Sequence, residues 1–291
     1  MLKNIFYVLF LMILTTLLSC TKEISTSNIL HEDEEVINGI HVRWKSGMSP
    51  EMRQLIRDIV GDMVLVQGGI FTMGTNLAYD EDARSDEEPA HLVELSDYYI
   101  CAHELNQYDV KLLVGSAPYG SFSEKRQYTW NEWEWILGQL SYWTGLPFYF
   151  PTEAQWEFAA RGGNFSKGYK YPGSNDLSLV WSVLRDASNP SAPNELGLYN
   201  MADKYCEWCA DTYAKYVDGV MQTDPCVFGG EEHVVRGGCY ESKNTSKYWK
   251  SALTSLPSEL VEDKRMCRST SRYGSKYNFS FIGCRPVINL K

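Results

Sequence analysis

Cysteine is the residue type through which this chain could do chemistry. After Cys20 it holds Cys101, Cys206, Cys209, Cys226, Cys239, Cys267 and Cys284. Thiolates attack electrophiles, exchange disulfides and bind soft metals. Cys206 and Cys209 have the spacing that opens many zinc sites, with Cys239 and Cys267 available as the other two ligands, although no second such pair follows. An odd number of cysteines leaves at least one thiol unbridged if the others pair. The histidines, at 31, 41, 91, 103 and 233, are scattered and lack HxxxH spacing. No GxSxG elbow, phosphate loop or GxGxxG turn appears.

Composition narrows the partners. The formal net charge is −10, without a basic cluster, so a phosphate backbone would repel the chain and nucleic acid is not an expected partner. Hydrophobic residues make up 44% and aromatics 13%, enough for a substantial core. At the start, Lys3 precedes the apolar run Ile5 to Leu18, which is too short to span a bilayer and has the length of a signal-peptide core. The run closes in Leu17-Leu18-Ser19-Cys20, which resembles a bacterial lipobox with Cys20 as the acylated residue. Residues 1–19 therefore read as a lipoprotein signal peptide, and the mature protein as tethered to a membrane through lipid. Lys22, with no Asp directly after Cys20, resembles outer-membrane sorting signals. The expected location is the cell envelope, on an outer membrane, facing either side.

Residues 20–48 are polar and acidic and read as a tether. Residues 49–62 read as a helical lead-in, with Met52, Leu55, Ile56 and Ile59 on one face. From Met63 the pattern turns to short strands. MVLVQGGIFTMG reads as two strands joined at Gly68-Gly69, and His91 to Ile100 as another. Asn131 to Leu140 carries an apolar helical stripe. Thr152 to Arg161 is a helix with a capping box, Thr152 with Gln155, and a Gly162-Gly163 stop. The reading is an irregular α+β domain over 63–290, rich in loops and held by aromatic packing.

Seven segments then occur in an order that resembles the formylglycine-generating, or sulfatase-modifying factor, family: GGIFTMG, DEEPAHLVELSDYYI, FPTEAQWEFAARGG, NELGLYNM, CEWCAD, VVRGG and GCRP. The resemblance covers roughly residues 59 to 290 and implies a single domain with a C-type-lectin-like fold. Residue by residue the motifs also have plain structural roles. Trp156 and Phe158 suit core anchors, Gly237 and Gly238 tight packing, His91 a structural place, and Arg236, Arg272 and Arg285 internal ion pairs.

In that family a Ser follows RGG, with a Cys three residues on and a second Cys five later, and the two thiolates bind copper(I) to activate oxygen. Here those places hold Cys239, Ser242 and Lys247. A hydroxyl is a poor donor to a soft ion and an ammonium repels it, so copper is not expected. The stretch from Gly238 to Cys267 is longer than usual, leaving Cys239 and Cys267 as a displaced thiol pair. The resemblance further implies a calcium ion held by Asn200, the carbonyls of Asp203 and Tyr205, and Glu207, although the usual GNVW is Asp203-Lys204-Tyr205-Cys206 here. A second calcium site has no counterpart near Leu179-Val180-Trp181.

Two functions follow. One is a non-catalytic binding or scaffolding lipoprotein, with a protein or glycan ligand, whose long insertion is rich in Tyr, Ser, Asn and Lys. The other is a thiol-dependent oxidoreductase acting on an exported protein or small thiol.

Overall fold

Asn38 and Gly39 both adopt positive φ, 51° and 78°, the backbone a two-residue type I′ hairpin turn requires. They join strands β1 (Glu34–Ile37) and β2 (Ile40–Arg43), which pair antiparallel with Ile37 opposite Ile40. This segment was expected to be part of the tether, and the structure corrects that reading. Ile40, Val42 and Trp44 point inward, and Trp44 is sealed by Arg53 and Arg57, whose guanidiniums stack on its ring at 4.8 and 5.7 Å. Glu35 ties the arrangement by accepting from Trp44 Nε1 and Arg57 Nε, each at 3.0 Å. The computed structural model describes residues 33–78, 80–105, 107–114, 128–180, 192–202, 205–238, 264–276 and 282–290. The signal segment, Cys20, Asp203, Cys239, Ser242, Lys247 and Trp181 lie outside them.

Helix α1 (Pro50–Gly61) starts where the sequence places it, since Ser49 caps Met52 N–H at 3.2 Å and proline occupies the first turn. Leu55, Ile56 and Ile59 are buried as expected, together with Val60. Strands β3 (Met63–Val66) and β4 (Gly69–Met73) follow, then β5 (His91–Leu95) and β6 (Tyr98–Cys101). The single strand expected over 91–100 is thus two, because the chain changes sheet at Ser96-Asp97. β3 pairs with β6, whereas β4 pairs with β5. At that crossing Gly68 touches the opposing backbone so closely that a Cβ would stand 2.1 Å from the Leu95 carbonyl oxygen. Asp97 Oδ1 accepts from Gly68 N at 2.7 Å and pins the crossing.

Helices α2 (Gln107–Val114) and α3 (Trp130–Thr144) pack near strand β7 (Phe148–Tyr149). Helix α4 (Glu153–Ala160) has the expected capping box between Thr152 and Gln155, and all eight of its residues are buried. Helix α5 (Leu177–Val180) is short. Strands β8 (Cys206–Thr212), β9 (Gln222–Thr223), β10 (His233–Arg236), β11 (Arg272–Ser275), β12 (Ile282–Gly283) and β13 (Val287–Asn289) complete the chain. They form sheets ordered β11-β10-β8-β12, β3-β6-β13-β7 and β4-β5-β9, an α+β architecture with short strands. One apolar cluster lies around α1, α3 and one face of β8, and another around α4 and the opposite face.

Candidate functional site

A helix buried on every side that carries two glutamates must find cations for them. Glu153 and Glu157 lie one turn apart on α4. Glu153 receives a two-pronged pair from Arg272, with Nε to Oε1 and Nη2 to Oε2 both at 2.7 Å. Glu157 binds Arg236 through Nη2 and Arg161 through Nε and Nη2 at 2.9 and 2.7 Å. It also accepts the Gly74 N–H at 2.9 Å. Burial pushes the Glu157 carboxyl upward, but Arg161 and Arg236 outweigh it and hold the pKa below the ordinary value. Trp156 and Phe158 are core anchors, as expected. Each of the three arginines read as an internal partner finds its carboxylate: Arg236 with Glu157, Arg272 with Glu153, and Arg285 with Glu207. His91 is buried and its Nδ1 lies 2.9 Å from the Pro89 carbonyl oxygen, a structural place.

Glu207 was assigned to calcium by resemblance, and its surroundings do not fit that role. Arg285 Nε stands 3.1 Å from both carboxylate oxygens and Nη2 2.8 Å from Oε1. Trp156 Nε1 donates to Oε2 at 2.7 Å. Three N–H donors, one of them shared between both oxygens, already hold this carboxylate, and the guanidinium charge opposes a cation beside it. Asn200, at a positive φ of 60°, donates from Nδ2 to Glu104 Oε2 at 3.2 Å. Tyr205 is exposed at the start of β8.

The cysteines are also placed apart. Cys206 and Cys209 lie three residues apart on β8, so they face opposite sides of the sheet and enter different apolar clusters. That alternation corrects the reading of this pair as half a zinc site. Cys267 is buried in a small cluster with Tyr171, Val180 and Ala202. A Cβ on Gly238 would stand 3.0 Å from its Sγ, which shows how tightly that wall is packed. Burial pushes the thiols of Cys101, Cys209 and Cys284 well above their usual pKa, away from the reactive thiolate. Cys226 is only half-buried, yet burial and Asp211 push it up to about 12.

Away from these thiols the surface opens into a cleft of about 610 Å³, lined mostly by residues with polar side chains. One wall is Thr270, three residues beyond Cys267. Another is the Tyr169-Lys170 stretch leading to Tyr171, and a third comes from Thr72 to Asn76 with Asp80. Two of its lining residues, Asp80 and Lys170, belong to an ion network that the sequence reading missed. Arg268 reaches Glu87, with Nη1 at 2.7 Å from Oε2, and Asp80 at 3.1 Å. Lys170 bridges Asp80 and Asp82 at 3.2 and 2.6 Å. The network joins residues nearly 190 positions apart, so no local spacing signals it.

Comparison with known proteins identifies the domain and its fold. The family described as a sulfatase-modifying factor enzyme 1-like domain matches residues 119–289. The formylglycine-generating enzyme of Thermomonospora curvata is 26% identical over 235 residues, covering 56% of this chain and 75% of that protein. Serine/threonine-protein kinase Pkn1 of Chlamydia trachomatis serovar L2 is 27% identical over 217 residues, covering 63% of this chain. The match takes in only 34% of the kinase-named protein, about a third of its length. Among solved structures, Treponema denticola variable protein 1 shares the fold with a TM-score of 0.58 at 17% identity, covering 88% of this chain and 98% of that one. From the profile match, the ordered motifs and the shared fold together, this chain belongs to the sulfatase-modifying factor enzyme 1-like family.

Proposed function

We propose that this chain is a non-catalytic, ligand-binding member of its family, held at the cell envelope by acylation of Cys20 and carried on an outer membrane. The observation that carries the reading is the fate of sulfur. The two places where the family pattern requires copper ligands hold Ser242 and Lys247. Cys267, one member of the displaced pair, is buried against Gly238, Ala202 and Tyr171. Oxygen activation at copper(I) needs two soft donors that converge at an accessible site, and a buried sulfur in a packed wall does not offer one. The cleft lined by Arg161, Asn76 and Asn175 can bind without chemistry.

Copper(I) titration of the reduced, mature protein against a chromophoric competitor tests the reading. Competition no stronger than nonspecific, and no oxygen uptake with a cysteine peptide, are expected. Stoichiometric tight copper(I) binding that Cys239→Ser or Cys267→Ser abolishes would establish the thiol oxidoreductase instead. For the anchor, labelling with a radioactive fatty acid should be lost in Cys20→Ala, and retention of label would refute acylation at that residue.

A further inference from the structure

The cleft has an uneven supply of hydrogen-bonding groups. The oxygens of its carboxylate and amide side chains are already engaged. Asp80 Oδ1 takes the Asp82 N–H and Lys170 Nζ, and Asp80 Oδ2 takes Arg268 Nη1. Asn76 Oδ1 accepts the Ala78 N–H and Asn175 Oδ1 the Lys170 N–H, both at 2.8 Å. These backbone donors fix both amides with their oxygens turned to the chain and their NH₂ groups available. Thr270 Oγ1 accepts from Arg268 at 2.8 Å.

The donors are left over. Arg161 spends Nε and Nη2 on Glu157 and the Gly74 carbonyl, and no described residue engages its Nη1. Around it three guanidiniums (Arg161, Arg236, Arg272) face two carboxylates (Glu153, Glu157), and Arg161 is the member that lines the cleft. At the other end Arg268 and Lys170 are matched by Asp80, Asp82 and Glu87, so Arg161 is a lining cation with a donor left unspent by the described residues. The hydroxyls of Thr72, Thr75 and Tyr169 complete the lining, and beyond glycines only Ala90 is apolar.

We infer that the cleft binds a sugar carrying a single carboxylate, of the uronic acid class, with the acid group at Arg161 and the ring hydroxyls among Asn76, Asn175 and the threonines. The assignment rests on the binding reading proposed above and names its ligand class. A lining of hydroxyls and amides suits a polyhydroxylated ring better than an apolar side chain. The overall charge of −10 disfavours a polyanion.

The test uses the mature acylated protein in detergent micelles and ligand-observed NMR with methyl β-glucuronide and methyl β-glucoside. The glucuronide should bind at least about tenfold more tightly, as a charge-assisted contact to a guanidinium implies. Asn175→Asp and Asn76→Asp keep the oxygen that caps the backbone, remove the amide donor and add a repelling charge. Each should weaken the glucuronide about tenfold or more while melting stays unchanged. Equal affinity for the two sugars, no binding of the glucuronide, or aspartate variants that bind it undiminished would overturn the assignment. Because copper(I) titration is a separate readout, failure here leaves the non-catalytic reading standing, and tight copper binding would remove that reading whatever the sugars do.

Discussion

Replacing Glu157 by Gln tests whether the buried ion network holds this fold together. The carboxylate is fully buried and serves Arg236, Arg161 and the Gly74 N–H at once. The amide keeps the shape but removes the charge and turns an NH₂ toward a guanidinium. Arg236 is itself fully buried, so its charge is left facing Glu153 at 3.8 Å as the remaining carboxylate. Breaking one side of a buried pair costs about 3–5 kcal/mol. In a domain of this size that corresponds to a melting decrease of roughly 10 °C. Glu134→Gln is the control: that side chain is exposed, and its bond to the Tyr149 hydroxyl should contribute no more than about 0.5 kcal/mol. Urea unfolding at pH 7 gives both numbers. The pH dependence has a definite sign. A carboxylate with a lowered folded pKa adds stability that is complete above its unfolded value near 4.5 and lost as pH falls through the folded one. The unaltered protein should therefore lose stability below about pH 4.5 more steeply than Glu157→Gln. If Glu157→Gln unfolds within about 1 kcal/mol of Glu134→Gln, the network is not what holds α4 in place.

Two glycines should respond in opposite directions. Gly68→Ala meets the Leu95 carbonyl at 2.1 Å and should destabilise by about 2 kcal/mol or more, whereas Gly138→Ala lies within α3 with nothing within 4 Å and should stabilise by about 0.5–1 kcal/mol. Thermal melts of the two variants decide this, and a shared sign would refute it. Chelation with excess EDTA should leave the melting temperature unchanged, since Arg285 and Trp156 already hold Glu207; a fall of several degrees would restore calcium to that site. Burial, then Glu153, pushes Asp211 up to about 6 in the folded protein, above its ordinary 3.8. Its contribution should favour folding as pH falls from 7 toward 5, the reverse of Glu157, and carboxyl-carbon NMR titrating near 4 would contradict it.

What could be read in the sequence was mostly local. Thr152 and Gln155, and the glycines after Arg161, settle α4 within a dozen residues, and the structure returns the capping box bond for bond. The three arginines near aromatics were legible as ion-paired, because a charge in such company needs a partner, but which carboxylate each takes was not. Arg285 and Glu207 are 78 positions apart. Asn38-Gly39 was a hairpin signal hidden in an acidic run, and the alternation of Ile40, Val42 and Trp44 would have revealed it. The separation of Cys206 from Cys209 follows from strand geometry and would have been visible had CEWCAD been read as β8. The cleft was not legible at all, since its walls come from between residues 72 and 90, from between 161 and 175, and from Thr270, and only the fold makes them one surface.

The same network bears on how this domain tolerates a substituted catalytic stretch. Arg236 and Arg272 are paired residues on adjacent antiparallel strands, β10 and β11, and both point their guanidiniums at α4. The 35 residues from 237 to 271 that connect them are therefore clamped at both ends by ion pairs that owe nothing to Ser242 or Lys247. Deleting residues 242–259, which removes both, leaves 17 residues, about half the connection. Each halving of the chain between two fixed points lowers its closure entropy cost by about 0.6 kcal/mol. The shortened protein should fold cooperatively with a melting temperature equal to or slightly above that of the full chain. It should also retain Gly238 against Cys267. A drop of more than about 2 kcal/mol in urea unfolding would show that the long stretch is part of the scaffold, not a segment carried between two fixed arginines.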